Sequence, residues 1–198
     1  ISSIPSLFLL ILKEKPDILK DYLLYLGEID ALTSNLVLKR DLNMITPDYQ
    51  VQKKPFINVE GFYNLMIPKD KSVKNDIIIG NSICEVEDKD NQAIKSNIMI
   101  TGPNASGKST FLKALTETLI MAQTICVVPA TKLVLTPFKH INTYLNIPDC
   151  QGKESLFQAE MSRCYQQIES FKNMKSNEFV FSIMDEIFVS TNYYEGIS

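Results

Sequence analysis

An α/β fold is predicted by three segments of this chain and by the order in which they stand. The first is Asn97-Ile98-Met99-Ile100, a short apolar run that reads as a strand. It leads into the second, Thr101-Gly102-Pro103-Asn104-Ala105-Ser106-Gly107-Lys108-Ser109-Thr110. There glycine, four residues, then glycine, lysine and serine give the spacing of a phosphate-cradling loop, and residues 110–122 continue with helix-compatible spacing. The third is Phe179-Val180-Phe181-Ser182-Ile183-Met184, mostly apolar and ending in Asp185-Glu186. A run apolar on both faces suits a strand buried in a parallel sheet. Carboxylates at its C-terminal end lie where open α/β sheets bind their ligands.

The residue types give these segments their chemistry. Gly102 and Gly107 let the backbone turn tightly and present successive N–H groups to phosphate oxygens. A helix beginning near Gly107 adds its positive end to the same anion. Lys108 has the reach to meet the β- and γ-phosphates, and the Ser109 hydroxyl suits a Mg²⁺ ligand. The alternative is a glycine-punctuated turn that binds nothing, against which stands a lysine with no packing purpose. Asp185 and Glu186 complete a Walker-B arrangement. Asp185 would hold Mg²⁺, directly or through water, and Glu186 would orient and deprotonate the attacking water. Two solvated acids at a strand end are the bland reading of that pair. The adjacent glutamate favours ATP hydrolysis over a kinase-like transfer, so ATP and Mg²⁺ are the expected ligands.

The other elements follow along the chain. Pro16 suits the first turn of a long helix reaching about Leu42, with Leu19, Tyr22, Leu26, Ile29 and Leu36 on one apolar stripe. Pro47, Pro55 and Pro68 then punctuate the sequence, and the change of style predicts a helical segment over 1–54 and a second domain over 55–198. Short strands are expected at about 56–59, 73–79 and 82–87, then near 125–128, 133–135 and 140–146. A helix over about 155–172 precedes the Walker-B strand. It opens on Ser155-Leu156-Phe157-Gln158, serine three residues before glutamine, a capping box. Such a start is a second place for phosphate, although most capping boxes only cap.

Composition narrows the classes. The 198 residues, 45% hydrophobic and 22% charged, describe a globular protein of one domain or a domain and part of another. A net charge of −3 offers no broad attraction to nucleic acid. Cys84, Cys126, Cys150 and Cys164 show no C-x-x-C spacing, which argues against zinc and for reduced thiols in a cytoplasmic or nuclear setting. His140, the single histidine, reads as a strand or surface residue. Leu7 to Leu12 is an apolar run far short of the roughly 20 residues that span a bilayer, and neither a membrane nor a signal peptide is expected. The chain begins with Ile1 and reads as an internal fragment.

Several of these segments together resemble one family. Thr101 to Thr110, with Gly-Pro-Asn after the threonine, is similar to the P-loop of the MutS family of DNA mismatch-repair ATPases. Met121-Ala122-Gln123 through Val128-Pro129-Ala130 resembles that family's Ala-Gln-hydrophobic-Pro-Ala stretch. Ser155-Leu156-Phe157 with Glu160-Met161 resembles its signature segment, and Asp185 to Gly196 its Walker B and following loop. Val73 to Asp76 resembles the start of its ATPase domain, and Tyr25 to Leu32 the end of its lever helices.

The resemblance implies an ABC-type P-loop ATPase, here with an incomplete sheet, preceded by a helical lever stub. It implies a dimer, with itself or with a second MutS-like subunit, in which the P-loop of one subunit and Ser155 of the other hold each ATP. Asn104 would sit beside the γ-phosphate, and Phe62 or residues around Asp76–Ile78 are candidates for the adenine pocket. DNA would be held through domains outside this chain, for mismatch repair or for recombination. The sequence departs from the family at Phe188-Val189-Ser190, where Gly-Arg-Gly is usual, and at Leu156, where threonine is usual. That loop resembles a divergent branch found in large DNA viruses and some organellar genomes.

In this class a further strand normally inserts between the P-loop and Walker-B strands. The sequence stops at Ser198, so that strand, a histidine switch and C-terminal dimerisation helices are expected to be missing, leaving a poor ATPase by itself. A nucleotide-gated interaction module without turnover is the alternative. A transporter subunit would need Leu-Ser-Gly-Gly-Gln and a GTPase Asn-Lys-x-Asp, and the sequence has neither.

Overall fold

The computed structural model describes residues 13, 16–68, 70–80, 97–145, 156–172 and 174–187. Its contacts divide the chain into two units, Ile1–Asn43 and Met44–Ser198. Helix α1, Pro16–Leu42, makes up nearly all of the described part of the first unit. Asp17 in its first turn and Lys39 and Arg40 in its last complement the helix dipole. The Thr33 hydroxyl donates back to the Ile29 carbonyl at 2.7 Å. Tyr22, Leu26, Ile29 and Leu36 of the expected stripe are all exposed.

The second unit is mixed α/β. Strands β1 (Asp48–Tyr49), β2 (Ile57–Phe62), β3 (Asn75–Ile79) and β4 (Lys132–Leu135) form one sheet in the order β1-β4-β2-β3. β2 lies antiparallel to both β3 and β4, and β1 runs parallel to β4. Residues 44–54, grouped with the first segment on sequence style, run in this unit. Ile45 bridges Val128, and Gln50 N–H donates to the Leu135 carbonyl at 2.9 Å.

Alternation builds the core. Ile57 and Val59 on β2 and Leu133 and Leu135 on β4 all point inward and are buried. Helix α2, Lys108–Thr124, lays Ala114, Leu115, Leu119 and Ala122 onto them, a spacing that keeps one helical face apolar. Phe111, from its first turns, meets Phe62 edge-on with ring centroids 5.2 Å apart. The register of β2 against β3 shifts between Val59 and Phe62, a bulge that Gly61 makes with φ of 63°. A Cβ there would come within 2.6 Å of the Thr131 hydroxyl oxygen, so glycine is required. The Asp76 carboxylate accepts the Gly61 N–H at 2.6 Å and fixes the bulge.

A second sheet pairs β5 (His140–Tyr144) with β6 (Val180–Met184) in parallel, and helix α3 (Leu156–Lys172) lies between them in sequence. Phe181 and Ile183 of β6 are buried in the same core as α2, with the Phe138 ring 5.4 Å from that of Phe181. β6 alternates buried and half-buried side chains, Phe181 and Ile183 being the buried ones, and Met184 at its end is exposed.

Two of the expected strands change. Asn97–Ile100 is not a strand: it joins no ladder among the described residues, and all four side chains are exposed. An apolar run becomes a strand only with a partner for its backbone groups, and no described strand lies bonded to it. Of 125–128, only Val128 makes a bridge. The strand expected at 82–87 lies outside the described residues.

Candidate nucleotide site

The loop from Thr101 to Gly107 is irregular and exposed, and it runs straight into α2. A turn closed by Ser106 N–H donating to the Pro103 carbonyl at 3.3 Å shapes it, with Ala105 at φ 61° and Gly107 at φ 94°. Gly107 is the N-cap residue and supplies no side-chain cap. The first N–H groups of α2 are therefore left without an intrahelical or side-chain acceptor, which is the state an anion site needs. Lys108 folds back over the loop, its Nζ donating to the carbonyls of Gly102 and Pro103, each at 2.8 Å. A phosphate entering the loop would offer that ammonium a charged acceptor in place of two neutral ones. Lys108 and Ser109 are half-buried, while Asn104 and Thr110 are exposed.

The acidic pair stands at the end of β6. Asp185 N–H donates to the Tyr144 carbonyl at 2.9 Å, carrying the β5–β6 ladder one residue beyond the strand. Asp185 is half-buried and Glu186 exposed. Glu186 has φ of 49°, a left-handed backbone uncommon for a residue with a side chain. Lys108, Asp185 and Glu186 share the lining of one cavity of about 560 Å³ whose apolar wall includes Leu112, Phe138 and Phe181. The fold thus brings together both ends of the sequence-predicted site.

Ser155 lies outside the described residues; α3 is described from Leu156 onward. Two of the adenine-pocket candidates carry structural contacts. Phe62 is fully buried against Phe111, and Asp76 fixes the Gly61 bulge. Sequence reasoning missed a smaller cavity of about 190 Å³ beside the loop, lined by Asn64, Ser72, Val73, Ser106, Gly107 and Phe111 among others. Its residues come from two distant segments, so no local pattern announces it. His140 opens β5, paired with Val180, and plays a strand role.

Comparison with known proteins decides the lineage. The family model described as MutS domain V matches residues 98–198, half of the chain. The chain belongs to the MutS family. Among its relatives is the DNA mismatch repair protein MutS of Clostridium botulinum (strain Okra / Type B1), 32% identical over 178 residues. That match covers 87% of this chain and 17% of the relative. The MutS of Lysinibacillus sphaericus (strain C3-41) is 29% identical over 192 residues, covering 92% of this chain and 20% of its own length. The MutS of Bacillus thuringiensis (strain Al Hakam) is 28% identical over 174 residues, 87% of this chain and 18% of that protein. The chain thus spans about a fifth or less of the MutS proteins it matches. The match to domain V begins just before the glycine-bearing loop and takes in the whole of the acidic pair. Among the described residues, no helix of this MutS-family chain is long and apolar enough to cross a membrane.

Proposed function

We propose that this chain is the nucleotide-binding part of a MutS-type P-loop ATPase of ABC class, whose ATP binding and hydrolysis are coupled to mismatched DNA in the whole protein. The observation that carries this reading is the shared cavity of Lys108, Asp185 and Glu186 beneath an uncapped helix N-terminus. The loop N–H groups and Lys108 would hold the β- and γ-phosphates, with Asn104 at the loop's outer side. The smaller cavity at Ser72, Val73 and Phe111 adjoins the same loop and has the size and mixed lining for the nucleoside end.

The donor set fits Mg²⁺. Among the described residues, no three His, Cys, Asp or Glu side chains gather as a metal cluster. One hydroxyl and one carboxylate, Ser109 and Asp185, are what a Mg²⁺ that draws its other ligands from phosphate and water requires. When bound, that ion would supply charge neutralisation of the phosphates. Glu186 would accept a proton from the water that attacks the γ-phosphorus as the bond to ADP breaks. Completion of the site by Ser155 of a second subunit, and contact with DNA through other domains, belong to the same proposal.

The test uses the intact parent protein as its dimer. Glu186→Gln should retain ATP binding and lose turnover by about 10²-fold or more. Unchanged turnover would remove Glu186 from the chemistry and the hydrolytic reading with it.

A further inference from the structure

We propose that Gln123 is a positioning residue for the nucleotide site, holding the phosphate-facing helix and the carboxylate-bearing strand in register. The proposal rests on the ATP reading given above.

Gln123 lies in the last turn of α2, and its side-chain amide pairs with both backbone groups of Phe138. Its Nε2 donates to the Phe138 carbonyl at 2.8 Å, and its Oε1 accepts the Phe138 N–H at 2.7 Å. A primary amide carries a donor and an acceptor on one planar group and so can pair with both backbone groups of a single residue. The next residue faces the other way: Lys139 N–H donates to the Phe179 carbonyl at 2.8 Å, beginning the β5–β6 ladder. The dipeptide Phe138-Lys139 is therefore bonded to α2 on one side and to the β6 segment on the other. The Phe138 ring against Phe181 adds an apolar contact at the same joint.

The joint and the reacting groups sit at opposite ends of the two elements. α2 runs from Lys108 to Gln123, about 22 Å of helix at 1.5 Å per residue. β6 runs from Val180 beside the joint to Met184 and then Asp185 at the cavity. A small tilt of α2 at Gln123 becomes a larger displacement at Lys108 and Ser109. Phosphate binding by the loop needs α2 alone, whereas Mg²⁺ shared by Ser109 and Asp185 needs α2 and β6 in register. Gln123 should thus govern the gain in ATP affinity that Mg²⁺ brings, and not the Mg²⁺-free affinity.

Calorimetric titration of ATP into the 198-residue chain, with Mg²⁺ and with EDTA, tests this. Gln123→Met keeps the length of the side chain and removes both hydrogen bonds. Gln123→Glu keeps the acceptor for Phe138 N–H. Thermal melts report whether each variant is folded. Wild type should bind at least about tenfold more tightly with Mg²⁺, Gln123→Met should lose most of that gain at unchanged Mg²⁺-free affinity, and Gln123→Glu should fall between them. A full Mg²⁺ gain in Gln123→Met would overturn the proposal. Equal loss of affinity with and without Mg²⁺ would also overturn it, marking Gln123 as a general brace of α2. Wild type that fails to bind ATP at all would instead overturn the nucleotide reading beneath it.

Discussion

At the scale of single residues, the side chains at the loop make few contacts outside it, whereas Gly107 sets the backbone. The Lys108 ammonium is satisfied only by two loop carbonyls, and Asn104 and Thr110 face solvent. Gly107 is different, because its φ of 94° sets the entry into α2. Nothing lies within 4 Å of a Cβ built there, so the cost of Gly107→Ala is backbone strain alone. That change should destabilise the unit by about 1–2 kcal/mol, seen as a lower denaturant midpoint at unchanged slope. The lysine was legible in the sequence because it breaks an apolar strand–turn–helix pattern with a charge. The left-handed Glu186 and the folded-back Lys108 were not legible, since both depend on where the loop and β6 come to rest.

At the scale of elements, burial and pairing decide the outcome. Leu119 is fully buried between α2 and the four-stranded sheet, so Leu119→Ala should cost about 2–5 kcal/mol, read from chemical denaturation. The start of the β5–β6 ladder carries an acid-sensitive clasp. Glu178 Oε2 accepts from Lys139 Nζ at 2.7 Å and from Lys175 N–H at 3.0 Å. Those bonds, the lysine's foremost, hold the Glu178 carboxyl below its ordinary value of 4.5. A depressed acid contributes stability above its unfolded value and loses it as pH falls through the folded value. Glu178→Gln should therefore melt slightly below wild type at pH 7, and the gap should close in acid below 4.5. Equal melting temperatures at pH 7 would dismiss the clasp.

The same scale shows why some elements were readable and others were not. α1 carries an apolar stripe, α2 helix-compatible spacing and β6 a short apolar run, and each appears within two residues of its expected bounds. Asn97–Ile100 carries equally apolar residues, but strand formation is a property of pairs, and a single sequence does not say which backbone lies alongside. Gln123 stood out only as part of a family-like Ala-Gln stretch. Its pairing with Phe138 joins residues 15 apart, and no local rule places a helical amide against that backbone. Only the fold gives it a partner.

At the scale of the whole molecule, the chain is a MutS-family segment in which Lys108, at the end of the glycine-bearing loop, and the acidic pair line one cavity. A ligand that binds only the folded unit stabilises it by about 2.7 kcal/mol at a hundred times its dissociation constant. Saturating Mg²⁺–ATP should accordingly raise the melting temperature of the wild-type chain and leave that of Lys108→Ala nearly unmoved. The most direct test of the central claim is the affinity itself. Titration of ATP in Mg²⁺ should show one site per chain in wild type, at least about tenfold weaker binding in Lys108→Ala, and near-wild-type binding in Glu186→Gln. Equal affinity in wild type and Lys108→Ala, or no binding by a folded wild-type chain, would contradict the account.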